Sequence, residues 1–395
     1  MNSGRIYLDN AATTPLRLEV IDAMREVAAD ADYNPSSLHA EGRRAAGLLD
    51  SARDRAASVL GVHRSEITFT SGGTESDNLA VAGTMRASAK GSRVVCSAAE
   101  HHAVLVTVER LADEGYQPIV LPVGSDGHVD VDAFSRELEP GTGLASVMYA
   151  NNETGVVTPI AALATAARGR GVAFHTDAVQ APRWLALDVR SLGVDMLSLS
   201  AHKFGGPKGV GLLYARRGSA LHPVLSGGGQ EFGRRPGTEN LAGIAGMVTA
   251  LELAAAERAE ATARVGQLRD RLESGICSTV PDVRVNGGEA DRLPNICNAS
   301  FAGVDSAALL MALDLAGVAV SAGSACTSGS PEPSHVLAAM GLEPRWRQGA
   351  IRFSLGPTTD TLEIGRVLEI LPAVVADLRR PSAAGTRSET GRRDG

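Results

Sequence analysis

Lysine is nearly absent from this 395-residue chain: among 38 basic side chains only Lys90, Lys203 and Lys208 are lysines. A coding bias toward arginine accounts for the imbalance, because Arg serves as a surface cation as well as Lys does. A lysine retained under that bias is a candidate for chemistry that Arg cannot perform, namely titration or imine formation. Cysteine is sparse too. Cys96, Cys277, Cys297 and Cys326 are widely spaced with no CxxC pair, which argues against a structural zinc site or a dithiol exchange centre and fits reduced thiols in the cytoplasm. No uncharged apolar run approaches the roughly 18 residues of a membrane span. The first 20 residues include Asp9 and Glu19 and no apolar stretch, so no secretory leader is expected. The formal net charge of −7 gives no support to direct nucleic-acid binding or to a membrane-surface role.

What the chain does have is the balance of a folded globular protein, 44% hydrophobic and 21% charged. Its length exceeds the size at which single cores usually stop growing, so a large domain with a smaller companion is expected. Short apolar runs at Ile67–Thr70, Val94–Ser97, Leu144–Tyr149, Val172–Thr176, Met196–Ser200 and Val210–Tyr214 read as buried strands. Apolar positions recur at helical spacing between them, as in Ala45, Leu48, Leu49, Ala52, Ala56 and Val59 before Gly61. That alternation predicts an α/β fold with a mostly parallel sheet. A long Ala/Arg/Glu-rich helix over Leu251–Ser274 leads to a smaller α+β unit, with strands at Leu293–Phe301, Val318–Ser321 and Ile351–Leu355 and helices at Ser306–Leu315 and Thr361–Arg380. The expected division is an N-terminal arm over 1–15, a large domain over 16–255, a small C-terminal domain over 256–380, and a disordered tail over 381–395.

Five segments carry candidate chemistry. Thr70-Ser71-Gly72-Gly73-Thr74-Glu75-Ser76-Asp77-Asn78 is a strand end turning through two glycines into a helix, where free backbone N–H groups suit an anion. An ordinary capped turn would read the same way. Ser198-Leu199-Ser200-Ala201-His202-Lys203-Phe204-Gly205-Gly206 puts Lys203 at the carboxyl edge of a strand, where it can bind a phosphate or attack an aldehyde. His175-Thr176-Asp177-Ala178-Val179-Gln180 ends an apolar strand on a carboxylate that needs a cationic partner, and a protonated pyridine would serve. An anion turn, a strand-end Asp and a strand-end Lys are together the parts of a pyridoxal phosphate site. Glu100-His101-His102 lacks the spacing of a helical zinc pair; His101 reads either as a loop cap or as a flat ring lying over a planar cofactor. Ser321 to Ser330 is a run of small residues around Cys326, which suits a thiol that must travel. Cys96 and Cys297 lie on expected strands and read as packing residues.

The segments SGGTESDN, EHHAV, NNETG, HTDAVQ, SAHKFGGPKG, RRPGTEN, GSACTSG with EPSH, and IRFSLG occur in this order over roughly residues 5 to 375. Together they resemble the cysteine desulfurases of the class V aminotransferase group. The short segment around Cys326 resembles the branch serving iron-sulfur assembly and nitrogen fixation. The resemblance implies an aspartate aminotransferase-like fold and a homodimer that uses pyridoxal 5'-phosphate. It implies that Lys203 holds the cofactor as an imine, that Asp177 pairs with the ring nitrogen, and that His101 stacks on the ring and moves protons. Gln180 would bond the phenolic oxygen. Gly73, Thr74, Ser200 and His202 would hold the phosphate, joined by Thr238 from the other subunit. Arg352 would grip the substrate carboxylate with Asn152 assisting, and Cys326 would be the nucleophile that takes sulfur from L-cysteine, leaving alanine. The persulfide would pass to an acceptor protein, an iron-sulfur scaffold or a thiolation enzyme. No resident metal is expected, and Cys326 would at most be a transient iron-sulfur ligand.

Two positions depart from the usual pattern: Pro236 stands where a small residue commonly precedes Gly-Thr, and Ala350 where a Ser often precedes Ile-Arg. Neither removes a group that the chemistry needs. Three other readings remain open on the residues: a selenocysteine lyase or other β-lyase on the same scaffold, a non-catalytic sulfur-relay partner, and a zinc protein built on His101 and His102.

Overall fold

The computed structural model describes residues 4–30, 33–88, 91–322 and 334–380. After the short strand β1 (Ile6–Tyr7), seven strands form the main sheet: β2 (Ile67–Thr70), β3 (Arg93–Ser97), β4 (Gln117–Leu121), β5 (Thr142–Ser146), β6 (Ala173–Asp177), β7 (Met196–Ser200) and β8 (Gly211–Ala215). Their order is β2-β8-β7-β6-β5-β3-β4. Only β8 runs against its neighbours; β7, β6, β5, β3 and β4 pair in parallel. The central strands are wholly buried, which explains why they read as continuous apolar runs rather than as alternations.

β4 was not visible in the sequence pattern, because it contains Pro118 and four of its five positions are partly or fully exposed. Its place explains the tolerance: β4 is an edge strand, where a missing N–H costs no ladder bond. The strand expected over Leu144–Tyr149 is regular only to Ser146. Val147 and Tyr149 nevertheless donate to the His175 and Asp177 carbonyls, so that segment still runs along β6.

Helices cover the sheet. The one over Ala40–Leu60 ends at Gly61, whose φ of 68° lets its N–H reach back to the Ala57 and Ser58 carbonyls. The long helix runs over Leu241–Thr279, ten residues longer at its start than the charge pattern indicated, because the Asn240 side chain caps the Gly243 N–H. Leu241 to Ala254 join the apolar core around the main sheet, while Ala261 to Ile276 join a second core. That second core packs the antiparallel strands β9 (Val283–Val285), β10 (Ile296–Phe301) and β12 (Ala350–Ser354) against helices Ser306–Leu315 and Thr361–Arg379. β11 (Val318–Ala319) pairs in parallel with β1, so the N-terminal segment is stitched to the C-terminal part of the chain.

One ion pair is fully enclosed. Arg53 donates two bonds of 2.7 Å to Glu231, and Glu231 also accepts the Phe69 N–H at 2.9 Å. Glu231 and Phe232 hold positive φ of 48° and 59°, strain that the buried pair offsets.

Candidate functional site

A cavity of about 330 Å³ opens at the carboxyl edge of the parallel strands. Lys203 ends a short turn after β7, and its backbone carbonyl accepts from the Thr14 hydroxyl at 3.0 Å. Its Nζ donates to the Ala11 carbonyl at 2.7 Å and to the Ala12 carbonyl at 3.0 Å. The glycines that follow are needed for the tight turn. A Cβ on Gly206 would sit 2.9 Å from the Ala201 oxygen that its own N–H binds.

Asp177, the last residue of β6, is 5% exposed, and its Oδ1 accepts from the Val179 N–H at 2.9 Å. Burial pushes its carboxyl up to about 6, opposed by that N–H and by the Lys203 charge. His101 caps the helix His102–Arg110, its Nδ1 accepting the Ala103 N–H at 3.1 Å, which leaves Nε2 to carry the proton of the neutral ring. Burial first and then the Lys203 charge push it down to about 4, so the imidazole is uncharged at neutral pH. The preceding residue fixes it. Glu100 is completely buried, accepts from Ser97 Oγ at 2.6 Å and from the Met148 N–H at 2.8 Å, and its carbonyl accepts from His335 Nε2 at 2.9 Å.

On the opposite wall the helix Gly73–Ala87 begins, its first N–H groups unpaired within the helix. A Cβ at position 73 would fall 2.8 Å from Val179 Cγ2 and 3.4 Å from Ser200 Cβ, so only glycine keeps this cradle open. Thr74, Ser200 and His202 line the same end. His202 Nδ1 lies 2.9 Å from Thr13 Oγ1, and burial pushes the ring down to about 4. Gln180 Nε2 donates to the Ala11 carbonyl at 3.0 Å.

Arg352 enters from β12 in the other sheet and is 2% exposed. Its Nη1 donates to the Asn152 carbonyl at 2.7 Å, its Nη2 to Asp9 Oδ1 at 2.8 Å, and its buried Nε has no partner. A buried guanidinium N–H left over beside a cavity calls for an acceptor, and a carboxylate is the matching group.

The cavity thus collects Gly73, Thr74, His101, Asn152, Asp177, Gln180, Ser200, His202, Lys203 and Arg352. Thr238 does not line it and is exposed. Cys326 lies outside the described residues. Burial pushes the Cys96 thiol well up and that of Cys297 up to about 12, so both are held protonated. His102 stacks on His335 with ring centroids 4.5 Å apart, and among the described residues no group of three or more His, Cys, Asp or Glu is arranged to hold a metal ion. Sequence reasoning did not single out Asp77, Met148 or the Ala11–Ala12 backbone, all of which line the cavity. Asp77 had a usable signal: it follows Gly73 by four residues on the same helix, and so shares its face.

A lysine, a buried carboxylate, a helix start and a carboxylate-seeking arginine on one sheet edge define an α/β enzyme for small anionic compounds. The family model "Aminotransferase class-V" matches residues 6–367. A cysteine desulfurase IscS from Dictyoglomus turgidum is 46% identical over 375 residues, covering 95% of each chain. A cysteine desulfurase NifS from Azotobacter vinelandii is 44% identical over 95% of this chain and 94% of its own. Among solved structures, DndA from Streptomyces lividans superposes with a TM-score of 0.74 at 37% identity, covering 88% of this chain and 99% of its own. The chain belongs to the class V aminotransferase family and, within it, to the cysteine desulfurases.

Proposed function

We propose that the cavity binds pyridoxal 5'-phosphate and L-cysteine, and that the protein converts L-cysteine to L-alanine while its sulfur remains as a persulfide on Cys326. The observation that carries this reading is the convergence of Lys203, Asp177, His101 and Arg352, from four separate segments, on one cavity. The donor set suits the cofactor. The helix start at Gly73 and Thr74, with Ser200 and His202, suits a phosphate; Asp177, whose burial favours a proton or a cation beside it, suits a protonated ring nitrogen. Gln180 and Asn152 supply amides for the phenolic oxygen, and Lys203 supplies the amine that anchors the cofactor covalently. When bound, pyridoxal phosphate supplies a conjugated electron sink for bonds broken at the substrate α-carbon.

The chain's own groups do the rest. Arg352 orients the substrate carboxylate through its spare Nε, and Asn152 closes that side. The neutral His101 ring presents its Nε2–H as the donor toward the reacting groups, a role open to it at any pH well above about 4. The Cys326 thiolate attacks the substrate sulfur. An S–S bond forms, the substrate C–S bond breaks with its electron pair left on carbon, and protonation there gives alanine. The run of small residues around Cys326 suits delivery of the persulfide to an acceptor protein, an iron-sulfur scaffold or a thiolation enzyme.

In this reading residues 16–255 form the large domain and 256–380 the small one. The working form is a cytoplasmic homodimer, with the exposed Thr238 reaching the partner subunit's phosphate site. The test is direct. Loaded protein should absorb near the visible edge and release alanine from cysteine; Lys203→Ala should lose the absorbance, and Cys326→Ser should keep it while losing alanine release. A Cys326→Ser protein as active as the parent would sink the assignment of the nucleophile.

A further inference from the structure

Beneath the cavity floor a polar seam crosses three adjacent strands of the main sheet. Ser146 on β5, His175 on β6 and Ser198 on β7 are all completely buried. Ser146 Oγ lies 2.8 Å from His175 Nδ1, and His175 Nε2 lies 2.9 Å from Ser198 Oγ. Burial pushes His175 down to about 3, so the ring is neutral and carries one proton. With one proton on the ring, His175 donates to one of the two serine hydroxyls and accepts from the other, so both ring nitrogens are satisfied within the seam.

Asp77 lies at the end of this seam: burial first, and then the neighbouring Asp177, push its carboxyl well up, and the Ser198 hydroxyl only partly opposes them. Asp77 is 1% exposed and lines the cavity, and its Oδ1 has no hydrogen-bond partner; His175 Nε2 is 3.7 Å away, beyond bonding distance. An unpartnered buried carboxylate oxygen is costly, and each such group needs a reason. Asp77 also stands beside Asp177, and the two carboxylates repel.

Resting on the reading of the cavity as a pyridoxal phosphate site, we propose that Asp77 is a positioning residue: with Asp177 it forms a carboxyl pair that the cofactor's protonated ring end completes, and the Ser146–His175–Ser198 seam holds it there. One positive charge placed against two carboxyls relieves their repulsion and gives the orphaned oxygen an attractive partner. The titratable groups facing the pair are His175 on β6, Glu100 after β3, His101 at the next helix start, and Lys203 after β7. His175 and His101 are neutral at neutral pH, and burial pushes Glu100 up to about 8, so among these groups only Lys203 brings a positive charge, and its Nζ is held by the Ala11 and Ala12 carbonyls.

The test uses the full chain with added pyridoxal phosphate. Asp77→Asn preserves the shape and removes the ionisable carboxyl that a bound cation would hold in its charged form. It should weaken cofactor retention on the order of tenfold, as expected for loss of a charged partner. It should also move the pH at which the cofactor absorbance titrates downward by about one pH unit, because the ring proton loses a negative neighbour. The cofactor-free variant should melt no lower than the parent, since the substitution removes a buried carboxyl without a partner; a purely structural role would lower it. Ser198→Ala, which breaks the seam and leaves Asp77 in place, should shift both readouts in the same direction by less, and it decides the matter if Asp77→Asn does not fold. Retention and titration unchanged in both variants would overturn the proposal. Parent protein that develops no absorbance with pyridoxal phosphate would instead overturn the cavity reading on which it rests.

Discussion

Replacing Arg352 with Lys isolates the fork from the charge. In the native protein the two terminal nitrogens are engaged, Nη1 by the Asn152 carbonyl and Nη2 by Asp9, so a substrate carboxylate is offered the remaining Nε. A lysine keeps a positive charge facing Asp9, so the half-buried carboxylate is not stranded and the fold should survive. Its ammonium is a single point, however, and cannot hold Asp9 and the Asn152 carbonyl while presenting a third donor in the cavity. The substrate loses one charged hydrogen bond, worth about 1.5 to 3 kcal/mol. At about 1.4 kcal/mol per decade, the KM for cysteine should rise roughly tenfold to a hundredfold. Alanine release measured across cysteine concentrations gives KM and kcat separately, with cofactor absorbance and a melting curve as controls. An unchanged KM, or a loss confined to kcat, would refute the assignment of Nε to the carboxylate.

Glu231→Gln should cost about 3 to 5 kcal/mol in denaturant unfolding, because it leaves the enclosed Arg53 guanidinium with a neutral partner in a dry site; a loss under about 1 kcal/mol would mean that water reaches the pair. Glu100 has its folded-state value pushed up to about 8 from an ordinary 4.5 by burial. Its neutral form favours folding fully below 4.5, and that contribution fades as pH rises toward 8 and beyond. The cofactor-free protein should therefore lose melting temperature between pH 5 and 9, and Glu100→Gln should lose less; parallel curves would show that Glu100 is ionised in the fold.

The strand ends that carry Asp177, Ser200 and Lys203 were legible because each is a local event, an apolar run meeting a polar residue or a glycine. What the sequence hid is long-range. Asp9 and Arg352 are 343 residues apart, and only the pairing of the N-terminal segment with the C-terminal strands brings them together. The Ala11 and Ala12 carbonyls that hold Lys203 are backbone groups with no side-chain signature at all. β4 escaped notice because Pro118 argues against a strand everywhere except at a sheet edge. Asp77 sat inside a recognised motif, yet its burial follows from the helix packing down on the sheet, which spacing alone does not reveal.

The helix over Leu241–Thr279 is 39 residues, about 58 Å of uninterrupted rod at 1.5 Å per residue. Its first half is set in one core and its second half in the other, so it behaves as a lever with both arms clamped. A tilt of about one degree at the Leu241 end displaces the far end by about 1 Å over that length. Arg352 stands on β12, between Ile351 and Phe353 of the core at the far end, and Lys203 follows a strand of the sheet at the near end. The gap between the residue that grips the substrate and the one that anchors the cofactor is therefore held from two sides, by the local bonds of Asp9, Ala11 and Ala12 and by the stiffness of this rod, far from either residue.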